Sequence, residues 1–275
     1  MAYWITKFGS TALPTRAQTQ DVGTGPAHSG LVTLPDGSAF DALGTATSKR
    51  VPWQLSVEGA VVAASDAALN TAASALYALV GQSDYLYRTP DGGTANSQQM
   101  RARCLRVDFA RDVRHRLWAQ PTLLFEAQEP VWSGTADVTT VGTLSTGGTL
   151  TITNAGNAIV RNPVVTVVAS GAAITSLQIQ SQATGYETHL CYGTAYGTGT
   201  SDGTLANGGT LTIDCGAYSV TNNGTAAYSR FELGYGHLTD TWAKLRPAGA
   251  GTQFVATFNG GASVIVTATH RSAYA

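Results

Sequence analysis

Two apolar runs that alternate in step face each other across Asn259-Gly260-Gly261, and this arrangement restricts the end of the chain to a β-hairpin. Phe254, Ala256 and Phe258 alternate with Gln253, Val255 and Thr257 on one side. Val264, Val266 and Ala268 alternate with Ile265, Thr267 and Thr269 on the other. A period of two gives each strand one face to bury, and Asn-Gly-Gly supplies the backbone angles of a tight turn. A hairpin with one apolar face needs a second sheet to cover it, so the expected setting is a β-sandwich.

The rest of the second half repeats that texture. Strands are expected at 149–153, 164–168, 176–181, 189–192, 210–214, 219–221, 254–258 and 264–269, about eight in all, separated by Gly- and Asn-rich turns. The hexapeptide Gly-Gly-Thr-Leu-Thr-Ile occurs at Gly147–Ile152 and again at Gly208–Ile213. Two copies 61 residues apart do not make a solenoid, and the pattern reads as two similar hairpin starts in one sandwich.

The first half differs in charge. Residues 1–132 hold 11 Lys/Arg and 11 Asp/Glu, whereas 133–275 hold 5 and 6. The change falls at Glu129-Pro130-Val131-Trp132, where proline interrupts a ladder. A domain junction is therefore expected at Pro130 and Trp132, giving domains 1–132 and 133–275. Leu55, Val57 and Gly59 mark a half-buried strand. One helix is expected over 65–80, capped by Ser65, with Asp66 at its positive end and Leu69, Ala72, Ala73, Leu76 and Val80 as its apolar stripe. Three strand-like segments follow it, with Asp91-Gly92-Gly93 and Arg111-Asp112 as turns. The expected fold class is all-β in the main: an N-terminal β-sandwich or barrel with one packed helix, then a C-terminal β-sandwich of about eight strands.

Candidate functional residues fall in two groups. Arg101, Arg103, Arg106, Arg111, Arg114 and Arg116 crowd one hairpin with Asp112 among them. Guanidinium forks pair with carboxylates of a neighbour, which suits a subunit interface, while the alternative is a solvated hairpin with weak exposed ion pairs. Unbroken alternation puts Arg101 and Arg103 on one face and Arg106 on the other. Tyr186, Tyr192, Tyr196 and Trp242 stand in an aromatic-rich second half, as contacts for glycan or partner or as core. No Gly-x-Ser-x-Gly elbow is present, and the five histidines are dispersed. His189, Cys191 and Cys215 lack a fourth metal ligand, and the odd number of cysteines reads as buried thiols. Catalytic, cofactor-binding and metal residues are thus expected to be none. A formal net charge of −1 gives no general attraction to nucleic acid, and no apolar run reaches the ~20 residues that cross a bilayer.

Several of these segments occur in an order that resembles the distal tail (Dit) proteins of long-tailed phages. The helix followed by ARCLRVDF and LLFEAQEPVW is similar to the family's N-terminal domain, with Pro130, Val131 and Trp132 matching its ending. Gly156-Asn157, Asn162-Pro163-Val164 and the Trp242, Leu245, Pro247 turn resemble its C-terminal domain, a sandwich like those of galectins and carbohydrate-binding modules. The resemblance implies a structural protein of the virion tail tip or baseplate, assembled in the host cytoplasm and without enzymatic activity. It implies a homo-oligomeric ring, typically six-fold, and a hub that joins the tail tube protein to tail-associated, host-penetrating and receptor-binding proteins. DNA passes through such a ring without specific binding, and no part inserts into a membrane. The alternative from the aromatics alone is a carbohydrate-binding surface or virion decoration protein.

Overall fold

A computed structural model of the chain describes residues 3–14, 18–20, 31–33, 39–41, 53–90, 97–112, 114–127, 131–182, 187–193, 204–233, 242–247 and 251–274. The chain divides into two compact units, Met1–Thr135 and Ala136–Ala275. Both are antiparallel β structures, and the described residues contain one α-helix. The fold is therefore mainly β.

The first unit contains β1 (Tyr3–Phe8), β2 (Thr11–Ala12), β3 (Gln18–Gln20), β4 (Leu31–Thr33), β5 (Ala39–Asp41), β6 (Trp53–Glu58) and β7 (Val61–Val62). Helix α1 (Asp66–Tyr77) follows, then β8 (Ser83–Pro90), β9 (Gln98–Arg111), β10 (Trp118–Ala127) and β11 (Trp132–Gly134). Pairing runs β9-β8-β1-β3-β6-β10 and returns from β10 to β9, so the sheet closes on itself as a barrel. Closure removes the free edges that would otherwise offer unpaired backbone groups. Ile5, Phe8, Leu55, Val57, Leu86, Met100, Cys104, Leu123 and Phe125 fill the inside. Phe8 and Phe125 meet at its centre, ring centroids 5.0 Å apart. Burial of side chains of this size contributes about 1.5–3 kcal/mol each.

Helix α1 forms where the sequence places it, with Ser65 Oγ accepting the Ala68 N–H at 3.2 Å. Leu69 and Leu76 are its buried residues. Val80 does not extend the stripe: the helix ends at Tyr77, and Val80 lies in the following turn, 45% exposed. Gly81 then takes a φ of +84° before β8. The Asp91-Gly92-Gly93 turn lies outside the described residues, as does Pro130. Trp132 is buried, and the Arg88 guanidinium lies 4.3 Å over its ring.

The second unit is a two-sheet sandwich. Its strands are β12 (Val138–Leu144), β13 (Gly148–Ile152), β14 (Val164–Ser170), β15 (Ile174–Ser181), β16 (Thr188–Gly193) and β17 (Thr210–Asp214). They continue with β18 (Ser219–Asn222), β19 (Thr225–Ala226), β20 (Phe231–Leu233), β21 (Thr252–Gly260) and β22 (Ser263–His270). One sheet has the order β12-β22-β14-β17-β18-β19 and the other β13-β21-β15-β16-β20. All eight expected strands are present. The three additional ones are short or, like β12, mostly solvent-facing, and so lack the apolar alternation that marks a strand in sequence.

The expected closing hairpin is corrected by the sheet order: β21 pairs with β13 and β15, and β22 pairs with β12 and β14. The turn at Gly260 and Gly261 (φ +79° and +67°) carries the chain from one sheet to the other, so that the apolar faces with Phe254, Ala256, Phe258, Val264, Val266 and Ala268 are buried between the two layers instead of side by side in one. The two hexapeptides adopt one geometry in opposite sheets, but only the second opens a hairpin as expected: β17 pairs with β18, whereas β13 pairs with β21, far along the chain. Gly147 and Gly208 have φ +79° and +76°. Gly148 and Gly209 donate to Ser145 O at 2.8 Å and Ala206 O at 2.7 Å. Leu150, Ile152, Leu211 and Ile213 all point inward.

Candidate contact surfaces

The arginine hairpin differs from its sequence reading at one position. Along β9 and β10, Cys104 pairs with Phe125 and Arg106 with Leu124, leaving Leu105 without a partner as a β-bulge. Two residues against one reverse the alternation downstream. Cys104 and Val107 therefore both point into the barrel, and Arg106 joins Arg101 and Arg103 on the outer face. The expected split of the arginines between faces is thus corrected by one inserted residue. Tyr85 lies opposite Arg101 and Glu126 opposite Arg103 on the neighbouring strands. Tyr87 stands 6.4 Å from Tyr85, ring to ring, with Lys7 Nζ 4.2 Å over its centroid.

The six arginines divide by what they hold. Arg116 Nε donates to Asp66 Oδ2 at 3.0 Å, and Arg111 donates to Asn70 Oδ1, so both bind the end of the hairpin to α1. The Arg116 guanidinium hydrogen bond holds the Asp66 carboxyl below its usual range. Asp112 shapes the turn, its Oδ1 accepting the backbone N–H groups of Arg114 at 2.6 Å and His115 at 2.9 Å. Those two backbone bonds depress its pKa. Arg106 pairs with Asp108 of its own strand at 2.7 Å. Among the described residues the side chains of Arg101, Arg103 and Arg114 have no ion-pair partner, and all three are exposed.

Beside the clasp lies a hollow of about 940 Å³ lined by Val62, Ser65, Asp66, His115, Arg116, Leu117 and Trp118. Val62 is 80% exposed there, although its only polar atoms are backbone. Sequence reading does not find this hollow, because Val62 belongs to a two-residue strand, Leu117 to a turn and Trp118 to the start of β10.

In the second unit, Tyr192 is 1% exposed and its hydroxyl accepts the Asn222 amide at 2.9 Å, so it belongs to the core and offers nothing to a glycan or partner. Tyr186 and Tyr196 lie outside the described residues. Trp242 is half-buried, with the Phe231 ring stacked on it at 5.3 Å and 24°. Tyr218 and Tyr228 flank it at 5.6 and 6.3 Å, and they are 65% and 55% exposed. Tyr218 has φ +54°, a conformation that costs a residue bearing Cβ on the order of 1 kcal/mol. The turn before it is fixed by Asp214 Oδ1, which accepts the N–H groups of Gly216 and Ala217 at 2.9 Å each.

Cys104, Cys191 and Cys215 are buried thiols, and burial pushes Cys215 up to about 12. Among the described residues no three His, Cys, Asp or Glu side chains gather as metal ligands, and no helix is long and apolar enough to cross a membrane.

No protein-family model and no curated protein matches the sequence. Among solved structures the chain is similar to the Dit (gp 19.1) protein of phage SPP1, described as a paradigm of the hub adsorption apparatus in phages that infect Gram-positive hosts. The superposition has a TM-score of 0.56 at 15% identity and covers 98% of this chain and 93% of the other. The two chains share a fold along nearly their whole length.

Proposed function

We propose, starting from the fold shared with a phage hub protein, that this chain is a structural subunit of the tail tip of a long-tailed phage. Copies close into a ring of about six at the distal end of the tail tube, through a heterologous interface that a rotation repeats. The ring joins the tube protein above to tail-associated and receptor-binding proteins below. It acts by contact, with no catalytic residue, and DNA passes through it unread.

The observation that carries this reading is the likeness to the SPP1 protein over 98% of the chain. The surfaces of the first unit support it. Arg101, Arg103 and Arg106 line one outer face, and the hollow at Val62 and Leu117 offers apolar area at the tip of the same hairpin, where Arg114 also lies. Arg111 and Arg116 are engaged within the subunit and serve to shape that region. Pro130 and Trp132 mark the passage to the second unit, the outward platform.

Light scattering and negative-stain imaging of the purified chain test the proposal. Closed rings are expected, and Arg101→Glu with Arg103→Glu is expected to disperse them without unfolding the subunit. A strictly monomeric protein at high concentration, or rings indifferent to the charge reversal and to Val62→Asp, overturns it.

A further inference from the structure

We infer that β12 is a docking edge for a second copy of this chain, the two strands pairing antiparallel about a two-fold axis at Val141. β12 ends its sheet: β22 lies on one side of it, and among the described residues no strand lies on the other. Every second residue of such an edge directs its N–H and C=O outward, where they can take up a further strand.

Edges of this kind are ordinarily blunted by shortness, by a lysine or proline, by a bulge or by a cover. β12 has none of these. It runs for seven residues, Val-Thr-Thr-Val-Gly-Thr-Leu, with neither charge nor proline. Its register with β22 is unbroken from Val138↔His270 to Leu144↔Val264. Val138, Thr139, Val141 and Thr143 are exposed, and Val141 at the centre is 59% exposed. The opposite edges of the two sheets, β19 and β20, are by contrast two and three residues long. Gly142 is the weak strand former of β12, and packing requires it, since a Cβ there would come 2.8 Å from Leu150 Cδ1.

The sequence of the edge selects the occupant. Read about Val141, it is nearly the same in both directions: Thr139 meets Thr143, Thr140 meets Gly142 and Val138 meets Leu144. Directly opposite residues of an antiparallel pair share a face, so the inner and outer sides of the two sheets continue into one another. Val141 then lies against Val141 of the second copy with a Thr–Thr pair on either side, and both kinds of pair are favourable across strands. Asp137, just before the strand, comes opposite Ser145, so no like charges meet. The contact is isologous and closes on itself as a pair.

Val141→Cys tests this directly, because the three native thiols are buried. Opposite residues have Cα atoms about 4.5–5.5 Å apart, within disulfide range, whereas Thr139 would lie roughly 14 Å from Thr139 of the second copy. Under mild oxidation of the full chain, Val141→Cys is expected to give a covalent dimer on a non-reducing denaturing gel. Thr139→Cys should give one only when mixed with Thr143→Cys. In sedimentation the wild-type chain should double in mass as concentration rises, from whatever species ring closure gives. Val141→Lys sets like charges opposite each other and should move that step to about tenfold higher concentration or more, with an unchanged melting midpoint. A Val141→Cys chain that crosslinks no faster than Thr139→Cys alone overturns the proposal, as does a Val141→Lys chain that doubles like wild type. A peptide of residues 136–146 should compete with pairing. Equal competition by an uncharged alternating peptide of unrelated sequence would make the edge a general acceptor and overturn the second copy as its occupant. The covalent dimer forms with or without a closed ring, so failure of the ring leaves this outcome intact.

Discussion

Arg116 and Asp66, fifty positions apart, join the tip of the β9–β10 hairpin to the first turn of α1, with Nε 3.0 Å from Oδ2. The carboxylate also sits where the helix dipole favours negative charge. Its folded pKa is depressed, chiefly by the Arg116 hydrogen bond. The contribution is therefore present above the ordinary carboxylate value and is lost as pH falls through the depressed one. Asp66→Asn is expected to lower the melting midpoint at pH 7, with the difference shrinking in high salt and vanishing at strongly acid pH. Parallel thermal melts of the two proteins check this, and a difference that persists in acid refutes it.

Leu105 is the extra residue of β9, and its removal brings Arg106 directly after Cys104. The ladder then runs straight, with Cys104 and Val107 still inward and Arg106 still outward. Deletion of Leu105 is accordingly expected to leave a folded barrel, an unusual tolerance for the middle of a strand. Deleting Leu124 from the facing strand doubles the mismatch and should unfold it. Circular dichroism and protease resistance of the two deletions distinguish them.

Asn154 is buried and fully engaged. Its Oδ1 accepts the N–H groups of Gly156 at 3.0 Å and Ala273 at 3.1 Å, and its Nδ2 donates to Ala158 O at 2.7 Å and Arg246 O at 3.2 Å. Asn154→Ala strips partners from buried backbone groups, each worth about 1–3 kcal/mol, so a loss of roughly 3 kcal/mol is expected by denaturant titration. Asn154→Asp should be no better at neutral pH, since it sets a carboxylate oxygen against two carbonyls. It should recover in part as acid protonates it.

His270 at the end of β22 is buried, and burial lowers its pKa against a smaller opposing effect from the Thr153 backbone. The folded state thus binds the proton less readily than the unfolded chain. Stability is full above pH 6.5 and declines as pH falls from there toward the depressed folded value, by at most about 1.4 kcal/mol per pH unit. Replacement by leucine should flatten the denaturation midpoint between pH 7 and 5. An unchanged slope would exclude His270 as its source.

Local pattern was legible wherever one face of an element is buried. Strands β21, β22 and β14 and helix α1 follow directly from alternation and from the Ser65 cap, whereas the partners of β21 and β22 do not: a Gly-Gly turn between two alternating strands serves a hairpin and a crossing between sheets equally, and here it is the crossing. Strand β12 was not legible, because its side chains mostly face water and its identity depends on pairing with β22. The arginine face was half legible: composition marked the hairpin, but a bulge is a property of two strands, so Leu105 gave no sign in β9 alone. Tyr192 misled for a related reason, since β16 is covered on both faces and alternation carries no information there. Tyr218 and Tyr228 belong to the aromatic-rich second half by composition alone, and only the position of Trp242 makes them a group.

The twin hexapeptides begin strands on opposite layers of the sandwich from the same glycine conformation. A corner that works identically in two surroundings is set by its own backbone shape and not by its neighbours. The copies thus leave the layers alike at those two corners. Any difference between the two sides of this unit is written in the segments that differ, among them the turn that holds Tyr218 at a positive φ and leaves it in water.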